Sequence, residues 1–471
     1  MESIESHNPY DEVLYPGYPF PQTHPDRLAT IARLFEMNPA PIERCRVLEL
    51  GCGDGGNLIP MAYTLPGSEF MGLDLGERCV AAGQETISAL GLSNVRLVCL
   101  DILEAGTDLG QFDYIIAHGV YSWVPPAVQE RILAICRENL NPQGAAYVSY
   151  NVYPGAHVRN MLAEMLRYHA RRFSAPGERI EQAAAMLSFL SAARPPQDAY
   201  SALLRHEVEV LSTRRKESLF HDELAEFQAP VYFRQFAERA AAHQLQYLGE
   251  SDFFEMVDSA EPPEIRSRLQ GLAADPIEKE QYLDFLKCRR FRQTLLCHSE
   301  VTLNRHVESS RVRNFFVSTR RRVNQEQEQL PSEHPVAKAA FAALGDAWPA
   351  ALSFEELKER AGAEDEPLLC DIVLGFFACG VFQLHVSRPP MATTVAERPR
   401  ASALARLQAR TGEYVTSLRH QVVHLEDDIS RRLLRALDGT RDRAALAREL
   451  AVESAELERA LHAFVRLALL E

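Results

Sequence analysis

Residues 45–62, CRVLELGCGDGGNLIPMA, set an apolar run against a glycine-rich turn and then a second apolar stretch. RVLEL reads as a buried strand, and NLIPMAYTL as a helix with Pro60 in its first turns. Between them Gly51, Gly53 and Gly56 satisfy G-x-G-x-x-G. Glycines let a backbone approach a ligand closely, and the helix that follows offers its first N–H groups. A nucleotide-bearing cofactor is the expected occupant, and the loop alone does not choose between kinds.

Working outward, EFMGLDL, VRLVCLDI, FDYIIAHG and GAAYVSYN read as further strands. They alternate with the helices RCVAAGQETISALG, closed by Gly91, and PAVQERILAICREN. Such alternation means βαβ units and a parallel sheet. Upstream, the segment to Pro25 is rich in Pro and Tyr and cannot be one helix, while His24 is placed to cap the first helix, from about Asp26 to Glu36. After Pro154 the pattern turns helical, with breaks at SAPGE and ARPPQD. LQYLGES and FRQTLLCHSE then read as late strands of the same sheet, a separate helical domain being the alternative. The expected fold is α/β: a Rossmann-like sheet with a helical insertion, followed by α-rich winged-helix-like modules. The expected division is a core over 1–156, an insertion over 157–215 acting as lid or dimer contact, and late strands over 216–305. A polar linker over 306–335 and two modules over 336–392 and 393–471, each two helices before a short strand, complete it.

The 471 residues carry a formal charge of −15, which argues against duplex nucleic acid as partner and suits basic segments. The start has no basic-then-apolar signal, and the longest apolar run, Val373–Phe382, is too short to span a bilayer. Nine cysteines form no C-x-x-C pair, so reduced, buried thiols in a cytoplasmic protein without a metal site are expected.

Open parallel sheets bind ligands beyond the carboxyl ends of their strands. Asp74 ends the second strand, where a carboxylate accepts bonds from ribose hydroxyls of either NAD or S-adenosylmethionine. Glu49 divides the two: a carboxylate at the end of the first strand repels a pyrophosphate but suits an ammonium and a sulfonium. Asp101 ends the third strand, placed for an adenine amino group, and His118 ends the fourth ahead of an aromatic loop. S-adenosylmethionine is therefore the expected cofactor, held by Tyr15, Glu49, Gly51, Cys52, Gly53, Asn57, Asp74, Leu75, Asp101, Ile102, His118 and Gly119. Tyr10, Tyr15 and Tyr18 are expected to form a lid. Candidate catalytic residues at the acceptor mouth are Tyr121, Trp123, Tyr150, Asn151 and His118; for Tyr121 and Trp123 a place among core aromatics competes with this role. Arg289, Arg290 and Arg292 suit either an acidic partner or a solvated, salt-bridged face.

The stretches YPFPQTHPDRLATIARLF, VLELGCGDGGNLIPMA, FDYIIAHGVYSWVP, YVSYNVYPG and DFLKCRRFRQTLLC span about residues 10 to 300. As a set they resemble class I S-adenosylmethionine-dependent methyltransferases carrying a methyltransferase regulatory domain. That group includes bacterial outer-membrane-protein lysine methyltransferases described from rickettsiae. The C-terminal LRHQVVHLEDDISRRLLRALDGTRDRAALA resembles the end of such proteins as well. The chain departs from the pattern at Ala156, where the family often has Trp, and at Asp54, where many members carry a small or polar residue. The resemblance implies a methyl donor, a methyltransferase fold and a lysine of a protein as acceptor. Two other functions stay open: methylation of a small metabolite or natural product, and a regulatory or scaffold protein that binds the cofactor without turnover. A homodimer through the insertion is a further possibility.

Overall fold

The computed structural model describes residues 17–471, apart from 193–197, 214–215, 226, 259–260, 321–331 and 333. Its centre is a seven-stranded sheet in the order β3-β2-β1-β4-β5-β7-β6. The strands are β1 (Arg46–Leu50), β2 (Glu69–Asp74), β3 (Val95–Cys99), β4 (Phe112–Ala117), β5 (Leu140–Asn151), β6 (Leu245–Glu250) and β7 (Phe291–His298). The first five run parallel, and β7 is antiparallel to both of its neighbours, β5 and β6. The two late strands therefore belong to this sheet, and the helices before them are an insertion.

Helices cover both faces, so the central strands are apolar on both sides. Val47, Ile116 and Leu295 enter one core while Leu48, Ile115 and Leu296 enter the other, the period of two that a pleated strand imposes. Helix Glu77–Leu90 stops at Gly91, whose φ of 66° is the left-handed cap glycine takes without strain. His24 caps helix Pro25–Leu34, its Nδ1 accepting from the Asp26 N–H at 3.2 Å.

The insertion runs through four helices, Gly155–Ala170, Pro176–Ala192, Ala199–Ser212 and Lys216–Asp222, beginning and ending a little outside the expected 157–215. It has its own apolar core, with Leu166, Leu187, Leu211 and Phe220 among its members.

The expected linker over 306–335 is a correction. Ser309–Asn314 is a 3₁₀ helix and β8 (Phe316–Thr319) is a strand between β9 (Leu352–Ser353) and β10 (Phe382–His385). Val312, Phe315 and Val317 are buried, and three apolar anchors among many charges escape a reading based on composition. With helices Pro335–Ala347, Phe354–Ala361 and Glu366–Ala378, β8 to β10 make the first winged helix. Its apolar residues, Phe341, Phe376 and Phe382 among them, form one continuous core with a face of the central sheet. The second module has a separate core, four helices from Ala403–Gln408 to Ser454–Arg466, and a hairpin of Tyr414–Thr416 and Val422–His424. Among the described residues no helix is long and apolar enough to cross a membrane.

Candidate active site

A cavity of about 620 Å³ lies beyond the carboxyl ends of β1 to β4. Its floor is the glycine loop. Gly53 has φ +55°, and a Cβ there would project into open space, so the loop presents bare backbone. The Gly53 N–H donates to Asp74 Oδ2 at 2.7 Å, and Asp74 Oδ1 accepts from Gly76 N at 2.8 Å. The N-terminal segment crosses the loop so closely that a Cβ on Gly56 would stand 2.4 Å from the Gly17 carbonyl carbon.

Glu49 points from β1 into this space. Its Oε1 accepts from Asn57 Nδ2 at 2.7 Å, while its buried Oε2 has no hydrogen-bond partner. Burial raises its pKa to about 8; the Asn57 bond opposes this, and the charges of Asp74 and Asp54 add to it. An orphaned carboxylate oxygen at a cavity wall is a place for an ammonium. Asp101, whose Oδ1 accepts from Leu103 N at 2.9 Å, lines the far wall with Leu75 and Ile102. The residues present thus fit S-adenosylmethionine: Glu49 for its amino group, Asp74 for its ribose, the β3 end for its base.

His118 closes the β4 side. Its ring packs at a tilt against Phe20 with centroids 4.0 Å apart, and Nδ1 lies 2.9 Å from Tyr147 Oη. Burial lowers its pKa to about 4, so the imidazole is neutral at physiological pH. The neighbouring Gly119 N–H donates to Ser149 Oγ at 2.8 Å. Trp123 also lines the cavity, at a rim shared with His221 and Asp222 from the end of the insertion. Arg159 ties the two sides together, its guanidinium 5.7 Å from the Trp123 ring and 3.0 Å from Asp222.

Of the expected residues, Glu49, Gly51, Cys52, Gly53, Asn57, Asp74, Leu75, Asp101, Ile102, His118, Gly119, Trp123 and Tyr18 meet at this cavity. Tyr10 and Tyr15 lie outside the described residues. Tyr121, Tyr150 and Asn151 are not brought to it. Tyr121 and Tyr150 sit in the core beneath, packed on Phe236, and Tyr150 Oη is 2.9 Å from Thr294 Oγ1. Asn151 is buried too, its N–H donating to Ser122 Oγ at 2.8 Å. Ala156 is buried away from the cavity, whereas Asp54 lines it. The three arginines are salt-bridged, one of the expected alternatives, rather than solvated or open to an acidic partner. Arg292 is fully buried and bridges Glu250, Glu280 and Asp284, Arg289 pairs with Asp284 at 3.1 Å, and Arg290 pairs with Glu207. Phe20, His221 and Asp222 were not singled out in the sequence. Phe20 stood within a quoted motif, but nothing local to His221 and Asp222 marks a contact with a loop a hundred residues earlier.

Comparison with known proteins agrees with this geometry. Residues 47–144 match a methyltransferase domain, 215–298 a "predicted methyltransferase regulatory domain", and 397–463 the "PKMT, C-terminal winged helix domain". An uncharacterised protein of Rickettsia prowazekii is 31% identical over 97% of this chain and 88% of its own length. A second from the same organism is 40% identical over 49% of this chain and 93% of its own. The solved structure of PKMT2 from Rickettsia typhi in complex with AdoHcy superposes with a TM-score of 0.85 at 28% identity, covering 97% of this chain and 99% of that one. The chain belongs to the S-adenosylmethionine-dependent methyltransferases that join a class I catalytic domain to a methyltransferase regulatory domain and a PKMT-type C-terminal winged helix.

Proposed function

We propose that the enzyme methylates lysine side chains of a protein substrate, entering the cavity at the rim formed by Trp123, His221 and Asp222. The observation that carries this reading is the likeness to PKMT2 over nearly the whole chain, winged helices included. An aromatic wall beside a carboxylate at the rim suits an aliphatic stem ending in an ammonium.

When bound, S-adenosylmethionine supplies an electrophilic methyl group on a sulfonium. Glu49 and Asp74 hold the two ends of its methionine and ribose parts, and the β4 end with His118 and Gly119 borders the methyl's approach. Transfer is an in-line displacement, so positioning supplies much of the rate. An acceptor lysine, with an ordinary pKa near 10.4, costs roughly 4 kcal/mol to deprotonate at neutral pH. A nearby cation and an apolar pocket both lower that cost. His118, held neutral, adds no positive charge beside the sulfonium, which eases loss of the lysine's proton, and a dedicated base is optional.

The test is incubation of the purified enzyme with methyl-labelled S-adenosylmethionine and bacterial membrane and soluble proteins. Label recovered as methyl-lysine after hydrolysis is the expected result. Label confined to small molecules would overturn the protein reading, and no transfer at all would favour a cofactor-binding scaffold.

A further inference from the structure

A second cavity, of about 90 Å³, lies where the sheet domain meets both winged helices. His24 and Arg27 line it from the N-terminal side, Gln383 and His385 from β10, and Arg419 and His420 from the hairpin turn of the last module. Arg419 is half-buried, and its hydrogen bonds all go to neutral acceptors: the Pro349 and Thr319 carbonyls, Ser318 Oγ and Gln383 Oε1. No carboxylate among the described residues pairs with it. Burial, with a smaller push from Arg27, draws its pKa down to about 10. Arg27 itself meets Asp252 only at 3.8 Å. A half-buried guanidinium whose acceptors are all neutral, beside a second whose one carboxylate stands 3.8 Å off, makes the cavity between them a place for an anion.

The histidines narrow the choice. His24 Nδ1 accepts from Asp26 N, which leaves the proton of the neutral ring on Nε2, a donor. Asn57 donates through Nδ2 to Glu49 and to Thr23 Oγ1, so its Oδ1 is an acceptor, and His420 Nε2–H, 2.9 Å away, must donate to it. His420 Nδ1 is then a lone pair, buried and without a partner. Asp26, the carboxylate in the wall, is taken up by His385 Nδ1 and Val386 N, both at 2.7 Å. Arg388, at the margin, is paired with Glu356. What remains is a set of donors for anionic oxygens together with one acceptor that wants an O–H. The volume is several times what a single water needs, room for a phosphate group.

We propose that this junction binds a singly protonated phosphate group, and that its occupancy is felt at the methyl-donor site through His420, Asn57 and Glu49. An O–H donated to His420 Nδ1 makes Nε2–H a better donor, which polarises the Asn57 amide and favours ionised Glu49. Phosphate and methyl donor therefore strengthen each other's binding. The coupling rests on Glu49 holding the donor's amino group; binding of phosphate does not.

Calorimetry on the full chain tests it with inorganic phosphate, with glycerol phosphate as a monoester and with sulfate, which lacks the O–H at neutral pH. One phosphate per chain, bound about tenfold more tightly than sulfate, is expected, with a loss of about tenfold or more in Arg27→Met. Exclusion of glycerol phosphate points to the free ion, and equal binding to a monoester end; both support the site. No binding of either phosphate, or sulfate binding equally well, overturns it even if the variant fails to fold. Saturating phosphate should tighten S-adenosylmethionine about fivefold or more, an effect absent in His420→Gln. Unchanged or weakened donor affinity overturns the coupling, whereas failure of the donor to bind at all would sink the assignment of Glu49 instead.

Discussion

Glu49 is an ionisable side chain set among the buried apolar residues of β1, and its pKa near 8 shows what that position costs. In the free enzyme the carboxyl must hold a proton that an unfolded chain releases near its ordinary value of 4.5. The cost to stability therefore grows as pH rises from about 4.5 toward about 8 and is constant above. Glu49→Gln should raise the stability of the free enzyme at neutral pH by about 1–3 kcal/mol, read from urea unfolding, while weakening S-adenosylmethionine tenfold or more. A variant that loses stability and keeps its affinity would contradict the role given to this carboxylate. Glu49, Asp74 and Asp101 were legible in the sequence because each ends a strand beside the glycine loop. Tyr150 and Tyr121 were not. On β5, Tyr147 and Ser149 reach His118 and Gly119, so strand alternation turns Tyr150 to the opposite face. Aromatic content alone carries no phase.

At the scale of elements, β7 shows a strand whose existence was clear and whose chemistry was not. FRQTLLCH reads as a strand from its apolar end, but Arg292 looks like a solvent-facing residue until Glu250, Glu280 and Asp284 arrive from other elements. Its guanidinium also lies 3.9 Å from the centre of the Phe233 ring. Burial raises the pKa of Asp284, with Arg292 opposing most and Arg289 adding to it, so this carboxyl depends chiefly on Arg292. Arg292→Met should cost about 3–5 kcal/mol, because three buried acids would lose their principal counter-charge. Thermal unfolding reads this, and Asp284→Asn in the same background should recover part of the loss. A Met variant of native stability would refute the pairing as a structural requirement. The insertion was similarly half legible: helical periodicity gave its helices, yet nothing in Lys216–Asp222 shows that its end reaches the cavity rim.

At the scale of the molecule, His24, His118 and His420 lie neutral inside the fold, among the described residues. Burial lowers His24 and His118 to about 4, and His420 further still. An unfolded chain protonates such groups near 6.5, so between about 6.5 and about 4 it takes up protons that the native state refuses. The stability they leave intact above about pH 6.5 is thus lost progressively on acidification, each contributing up to about 3 kcal/mol. Urea midpoints compared at about pH 7.5 and about pH 5 should show a marked fall, shallower in His118→Phe. A pH-independent midpoint would show these rings to be solvated. The doubly wound sheet was legible from strand–helix alternation; the expected order of two helices before a short strand holds in the first C-terminal module, whereas in the last the hairpin comes ahead of the final helices. The joins between modules were not, because their bonds, such as His420 to Asn57 and Asp26 to His385, unite residues that the chain holds far apart.

The core shared by the central sheet and the first winged helix limits how this enzyme moves. Val47 under the glycine loop and Phe341 in that module belong to one apolar mass, so swinging the module outward would wet both sides at once. It is a fixed shelf rather than a jointed arm. A protein acceptor, as proposed, would have to bend its own target segment down to the methyl, which would favour residues on pliant loops and tails over those locked in rigid structure.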